Sequence, residues 1–286
     1  MVTKKNPVKT KRLIAEACAG SHDGQIASAA DWMPNVFVIG APKCATTSLT
    51  AVFQRHPGFR VSRNLEPNFF GRRYARGWSW YKEQVGPGFG EGVYRCEAST
   101  MYSNSVKGYL HTPELINRCS PQAKIIYLVR NPIDRLVSQW RHLRGRNHLQ
   151  VEEKYLTPEF SEVLSNKRLR KKIIGTSRYY TTIERYRRFF GPNQIYCMTF
   201  EDFTGNPREA LAGLFDFFGV DPCMDQLLDS GDRLPFVNQA GTKRRVMVEQ
   251  PEWPEGLKKK VLSEVKDEAD AFLASIGKPS DYWSYS

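Results

Sequence analysis

Several features that mark specialised proteins are missing from this chain. Its six cysteines (Cys18, Cys44, Cys96, Cys119, Cys197 and Cys223) are dispersed over 286 residues with no C-x-x-C pair. That spacing argues against a disulfide scaffold or a zinc cluster and for reduced thiols. The five histidines are equally scattered, so no metal site is expected. No apolar run reaches the roughly 18 residues that a membrane span requires, and none is expected. The opening stretch MVTKKNPVKTKRLIAEACAGSHDG holds only a short apolar patch, too weak for a secretory signal, which makes a cytoplasmic location the expectation. Internal repeats and low-complexity tracts are absent.

What is present is the composition of an ordinary soluble globular protein, 41% hydrophobic and 25% charged. Lys and Arg number 42 against 30 Asp and Glu, giving a net charge of +12. A basic balance of this kind fits nucleic acid, a membrane surface or a polyanionic ligand. The length allows one large domain or two small ones. Residues 1–33 are polar, basic and aperiodic and read as a flexible arm, leaving residues 34–286 as the folded domain.

Within the domain, strand and helix signals alternate. NVFVIG is a continuous apolar run, as in a buried parallel strand, and helical spacing follows over residues 47–55 until HPGF stops it. AKIIYLVRNP leads into IDRLVSQWRHL in the same way. A third strand, QIYCMTFEDF, precedes a helix with Asn206 as its cap and Pro207 as its first residue. LKKKVLSEVKDEADAFLASIG reads as an amphipathic helix ending at Gly277, and the charged residues 147–172 are expected at the surface. The pattern predicts an α/β fold, a single domain whose central parallel sheet is flanked by helices. Ligands of such sheets bind beyond the carboxyl ends of the strands.

Two strand-to-helix junctions carry anion chemistry. In GAPKCATTSL a strand opens through small residues into a helix, so backbone N–H groups and the positive end of a helix face one point. An ATP-type loop places its lysine beside the hydroxyl that starts the helix. Here Lys43 comes early, and Thr46, Thr47 and Ser48 come late. The second junction, LVRNPIDRLVSQW, puts Arg130 at a strand end and Ser138 about two helical turns on, a guanidinium fork with a hydroxyl donor. Together they imply one ligand with two separated anionic groups.

PKCATTSL resembles the 5′-phosphosulfate loop of sulfotransferases, and RNPIDRLVSQW resembles their 3′-phosphate motif R-x-P-x-x-R-x-x-S-x-[YW]. The resemblance covers residues 35–283 and implies a P-loop-like fold and 3′-phosphoadenosine-5′-phosphosulfate (PAPS) as donor. It implies that Lys43 contacts the bridging oxygen, that Cys44, Ala45, Thr46, Thr47 and Ser48 hold the phosphosulfate, and that Arg130 and Ser138 hold the 3′-phosphate. Ala45 replaces the family's usual glycine, and its methyl is tolerable only if the local φ stays negative. NLEPNFF is similar to the E-x-x-F-F segment of the heparan-sulfate and related carbohydrate branch, which makes Glu66 the candidate general base. CEASTMY looks like that branch's E-K-[ST]-x-x-Y, keeping Glu97 but with Ala98 in place of the lysine.

The same resemblance sets Ser177 and Arg178 near the nucleotide and makes Thr242, Lys243 and Arg244 a basic loop over the 3′-phosphate. Trp78, Trp80 and Tyr81 are candidates to shape an acceptor pocket, with Glu97 beside it, while His56 reads as structural. The activity implied is transfer of a sulfuryl group to a hydroxyl or amine of a carbohydrate or small molecule, with no metal and no nucleic acid required. Three rivals stand beside it. A nucleotide-dependent kinase needs a late lysine and a magnesium carboxylate, and a nucleic-acid-binding module needs a recognition motif; neither set is found. A non-catalytic relative would lack Lys43 or Glu66, and both are present. The oligomeric state has no signal in the sequence.

Overall fold

The structure is a computed structural model and describes residues 7–27, 29, 31–86, 94–105, 108–147, 159–235 and 248–285. Five parallel strands form the central sheet: β1 (Val36–Gly40), β2 (Phe59–Val61), β3 (Tyr94–Glu97), β4 (Lys124–Val129) and β5 (Ile195–Thr199), in the order β2-β3-β1-β4-β5. Every residue of β1 is buried, as its uninterrupted apolar run demands of a strand covered on both faces. The α/β reading therefore holds, with β1, β4 and β5 where the three apolar runs fall. The short edge strand β2 and its neighbour β3 carry no such run. RCE in β3 reads as polar, although Cys96 and Glu97 are fully buried.

The chain enters the sheet at its centre. β1 pairs with β3 on one side and with β4 on the other, so the crevice outside its carboxyl end is the switch point of the topology. The β1–β4 register shifts between Val38 and Gly40, where β1 turns into the loop. Gly40 is required at that turn: at φ 143°, a Cβ there would stand 2.5 Å from Ser103 Oγ and 2.8 Å from the Thr100 carbonyl oxygen.

Helices cover both faces. Asn206 caps the helix Pro207–Phe218 by accepting from Glu209 N–H, and Pro207 occupies the first turn, both as the sequence predicts. The long helix Leu257–Ser275 ends where Gly277 takes φ 74° and Lys278 N–H reaches back to Leu273 O at 2.9 Å. In the charged 147–172 region the helix Phe160–Ser165 buries Phe160, Val163 and Leu164 in a second apolar cluster with Trp140 and Val265, so that face is core.

The N-terminal segment departs from the expected loose arm. Pro7–Cys18 is helical, and Ile14 and Ala17 are buried against the domain, with Leu13 and Cys18 packed beside them. The spacing of Leu13, Ile14, Ala17 and Cys18 is one helical stripe, short enough to be hidden among the flanking lysines.

Candidate active site

Lys43 and Ala45 both adopt positive φ, 73° and 60°, and this pair of turns points the following helix, Thr46–Arg55, end-on into the crevice. No side chain caps that helix. Its first N–H groups are thus left for an anion, and the helix dipole favours negative charge at the same place. Positive φ at Ala45 contradicts the expectation that its methyl is accommodated at negative φ. The backbone holds the left-handed turn that the family's glycine would adopt freely, at a steric cost. Cys44 is fully buried, and burial pushes its thiol up to about 12, so it is packing and not a thiolate. Thr46 is buried, Ser48 half-buried and Thr47 exposed.

Arg130 lies directly after β4, beside the β1 loop because the two strands are paired. Its guanidinium stacks 4.3 Å over the Phe200 ring, and its carbonyl accepts from Tyr179 Oη at 2.7 Å, so both ends of the residue are fixed. Arg130 Nε is buried with no hydrogen-bond partner among the described residues. An unsatisfied buried donor on a half-buried arginine is what an anionic ligand would complete. Ser138, half-buried, stands on the helix Pro132–Asn147 that Asn131 starts by accepting from Ile133 N–H at 3.0 Å.

Glu66 comes from the loop after β2. It keeps contact with solvent, yet its surroundings desolvate the carboxylate enough to raise its pKa above the usual carboxylate range. Opposing this, Thr100 Oγ1 donates to Glu66 Oε1 at 2.9 Å, Asn68 adds a hydrogen bond, and the charges of Arg73 and Lys43 favour the anion. Lys43, 23 positions earlier in the chain, thus acts on Glu66 electrostatically, in the direction that favours its anion. Asn68, at φ 54°, holds the turn: its N–H donates to Ser99 Oγ at 2.9 Å and its amide to Glu66 O at 3.0 Å.

Glu97 and Tyr81 fall elsewhere than expected. Both are fully buried, with the Tyr81 hydroxyl and Ser99 Oγ donating to the two oxygens of the Glu97 carboxyl. Burial raises Glu97 to about 7 against these hydrogen bonds. The Tyr81 ring stacks on Phe69 at 4.2 Å, and Trp78 packs edge-on to Phe69 at 5.2 Å. Tyr81 is therefore core and lines no open pocket, Trp78 belongs to the same aromatic layer, and Glu97 is tied through Ser99 to Asn68 in the Glu66 loop. Trp80, half-buried, receives the guanidinium of Arg76 at 5.1 Å. Ser177 is also buried, while Arg178 is exposed. His56 is structural as read: buried, with Nε2 2.8 Å from Asp221 O and Nδ1 accepting from Gly58 N–H. Thr242, Lys243 and Arg244 lie outside the described residues.

Sequence reasoning missed the residues that orient the named ones: Thr100 on Glu66, and Tyr179 and Phe200 on Arg130. Each is 34 or more positions from its partner or joined through a ring face, and neither relation leaves a local pattern. Cys18, His111 and Glu114 bring metal-ligating atoms within 4.8 Å of one another, at the seam between the N-terminal helix and the helix Thr112–Cys119.

The comparisons agree with this geometry. The family described as "Sulfotransferase domain" matches residues 33–252. Mouse heparan sulfate glucosamine 3-O-sulfotransferase 3A1 is 26% identical over 214 residues, 72% of this chain and 51% of that protein. The mouse bifunctional heparan sulfate N-deacetylase/N-sulfotransferase 4 is 26% identical over 67% of this chain and 23% of its own length. The chain thus spans about half, or less, of the curated relatives it matches. Among solved structures, a sulfotransferase from Alicyclobacillus acidocaldarius superposes with a TM-score of 0.64 at 23% identity, covering 86% of this chain and 97% of that one. The sulfotransferase domain of the Synechococcus PCC 7002 olefin synthase gives 0.53 at 19% identity, covering 83% and 94%. With the family match spanning most of the domain and both anion junctions at the centre of the sheet, the chain belongs to the sulfotransferase family, with relatives in its heparan-sulfate branch.

Proposed function

We propose that the protein moves a sulfuryl group from PAPS to a hydroxyl or amine of a carbohydrate or small-molecule acceptor, with Glu66 as general base. The observation that carries this reading is that two paired strands each end in an anion-competent junction: the uncapped helix and Lys43 follow β1, and Arg130, its Nε buried and without a partner among the described residues, follows β4. The loop amides, Lys43, Thr46, Thr47 and Ser48 hold the 5′ end of the donor, and Arg130 and Ser138 its 3′-phosphate. Glu66 takes the acceptor proton as the acceptor oxygen or nitrogen forms its bond to sulfur. As the bond from sulfur to the bridging oxygen breaks, Lys43 and the helix N-terminus neutralise the charge growing on the departing phosphate. Both relatives' names specify heparan sulfate; Ala98, in place of that branch's lysine, favours an acceptor of different shape here.

The test is calorimetric binding of 3′-phosphoadenosine 5′-phosphate, followed by transfer of labelled sulfate to an acceptor panel. Lys43→Ala and Arg130→Ala are expected to weaken nucleotide binding at least about tenfold, consistent with loss of a charge-assisted contact. Glu66→Gln is expected to bind normally and lose turnover. Because the Glu66 carboxyl is raised, wild-type activity rises with pH through a midpoint above the usual carboxylate range, and the residual turnover of the glutamine variant lacks this acidic limb. Retention on duplex DNA without nucleotide binding would sink the assignment.

A further inference from the structure

Cys18, His111 and Glu114 have no part in the reading above. Cys18, half-buried, ends the N-terminal helix Pro7–Cys18. His111 immediately precedes the helix Thr112–Cys119, and Glu114 stands in that helix's first turn. A spacing of three puts these two side chains on one face, with His111 Nδ1 3.2 Å from Glu114 Oε2. Cys18 reaches the same point from the other element. One sulfur, one nitrogen and one oxygen thus lie within 4.8 Å of one another, and no other such group of three occurs among the described residues.

The packing that brings them together does not depend on them. Ile14 and Ala17 anchor the N-terminal helix in the main core. Arg118, one turn beyond Glu114, donates to Asp23 Oδ1 at 2.7 Å across the same seam, so its positive charge is already paired with a carboxylate. Thr112 Oγ1 donates to Phe70 O at 2.6 Å and ties this helix end to the chain that follows Glu66. Zinc bonds of roughly 2.3 Å to sulfur and 2.0–2.1 Å to nitrogen or oxygen, at tetrahedral angles, set ligand atoms about 3.5 Å apart. His111 and Glu114 already stand near that separation, and rotation of the exposed His111 side chain and of Cys18 spans the remainder. A thiolate, an imidazole and a carboxylate together suit Zn²⁺, whereas Mg²⁺ and Ca²⁺ take oxygen ligands.

We propose that Cys18, His111 and Glu114 form a zinc site that fastens the N-terminal helix to the helix Thr112–Cys119, with water as the fourth ligand. On binding, the Cys18 thiol releases its proton to solvent and its sulfur bonds the metal, the His111 ring supplies a nitrogen lone pair, and Glu114 supplies a carboxylate oxygen. The inference revises the expectation that scattered cysteines and histidines hold no metal. The site leaves no local motif because 93 positions separate Cys18 from His111. It stands apart from the donor reading, since none of the three residues is assigned to PAPS or to the acceptor.

The full chain, untagged, stripped with chelator and kept reduced, is titrated with Zn²⁺ by calorimetry and with Co²⁺ by absorbance. Cys18→Ser, His111→Ala and Glu114→Gln are compared with wild type, and Cys197→Ser and Cys223→Ser, at the other half-buried thiols, are controls. Wild type is expected to bind one Zn²⁺ per chain, to melt at a higher temperature with zinc, and to show a thiolate-to-cobalt charge-transfer band. Cys18→Ser is expected to lose the band. All three ligand variants are expected to bind Zn²⁺ at least about tenfold more weakly, and both controls to match wild type. His111 is exposed, so its variant decides the matter if Cys18→Ser fails to fold. No zinc binding by wild type, a cobalt band that survives Cys18→Ser or vanishes in a control, or unchanged zinc affinity in His111→Ala would overturn the inference and leave an ion-paired seam without a metal.

Discussion

Lys43 and Ala45 bend the loop with positive φ in two residues that are not glycine. Each such turn costs on the order of 1 kcal/mol in an L residue. Ala45→Gly relieves that cost without touching a charge or a hydrogen-bonding side chain, since Ala45 supplies only its backbone to the loop. The expected outcome is a gain of about 1 kcal/mol less the extra entropy of the unfolded glycine, read as a higher urea midpoint, with nucleotide affinity preserved. Lys43 has no such relief, because glycine there deletes the cation. At this scale the sequence was informative about place: Lys43 follows β1, Arg130 follows β4 and Glu66 lies in the loop after β2, as the motifs put them. It was silent on φ at Ala45, because a methyl group signals nothing about the turn that holds it. It misassigned Tyr81, because an aromatic has the same letter whether it is packed in the core or lines an open pocket.

Among the elements, β3 carries the least expected content. Four residues long, it ends in a carboxyl at 0% exposure that Tyr81 and Ser99 hold by hydrogen bonds. Burial raises Glu97 to about 7, and the nearby charge of Glu66 pushes in the same direction. A carboxyl raised in the folded state binds its proton more tightly there than in the unfolded chain. Its contribution to stability is therefore complete below the ordinary carboxylate pKa and is lost as pH rises through about 7. Wild type is expected to show a falling urea midpoint between about pH 5 and pH 8, and Glu97→Gln to flatten that slope. A slope identical in both proteins would place the titration elsewhere. The long apolar strands were legible because burial on both faces imposes a run of Val, Ile and Leu. β2 and β3 were not, because three or four residues show no period, and because Glu97 is a charged letter in a core position.

For the molecule as a whole, the N-terminal helix belongs to the folded body. Ile14 is 6% exposed and packs into the main core, so Ile14→Ala is expected to lower stability by about 2 kcal/mol. Chemical denaturation measures this; a loose arm would give no change. The net charge of +12 suggested an anionic partner at the outset, and Lys43 and Arg130 carry part of it at the ends of two paired strands. The pairing of β1 with β4 adds a constraint of another kind. Neighbouring strands stand roughly 4.8 Å apart wherever their backbones bond, and here the two anion junctions grow from adjacent strands. The spacing between the junctions is thus set by backbone, as on a ruler, and side-chain changes in either loop tune grip without altering the length being read. On the proposed donor reading, a nucleotide with one phosphate, or with both at the same end, leaves half the gauge empty however well the remaining loop is optimised.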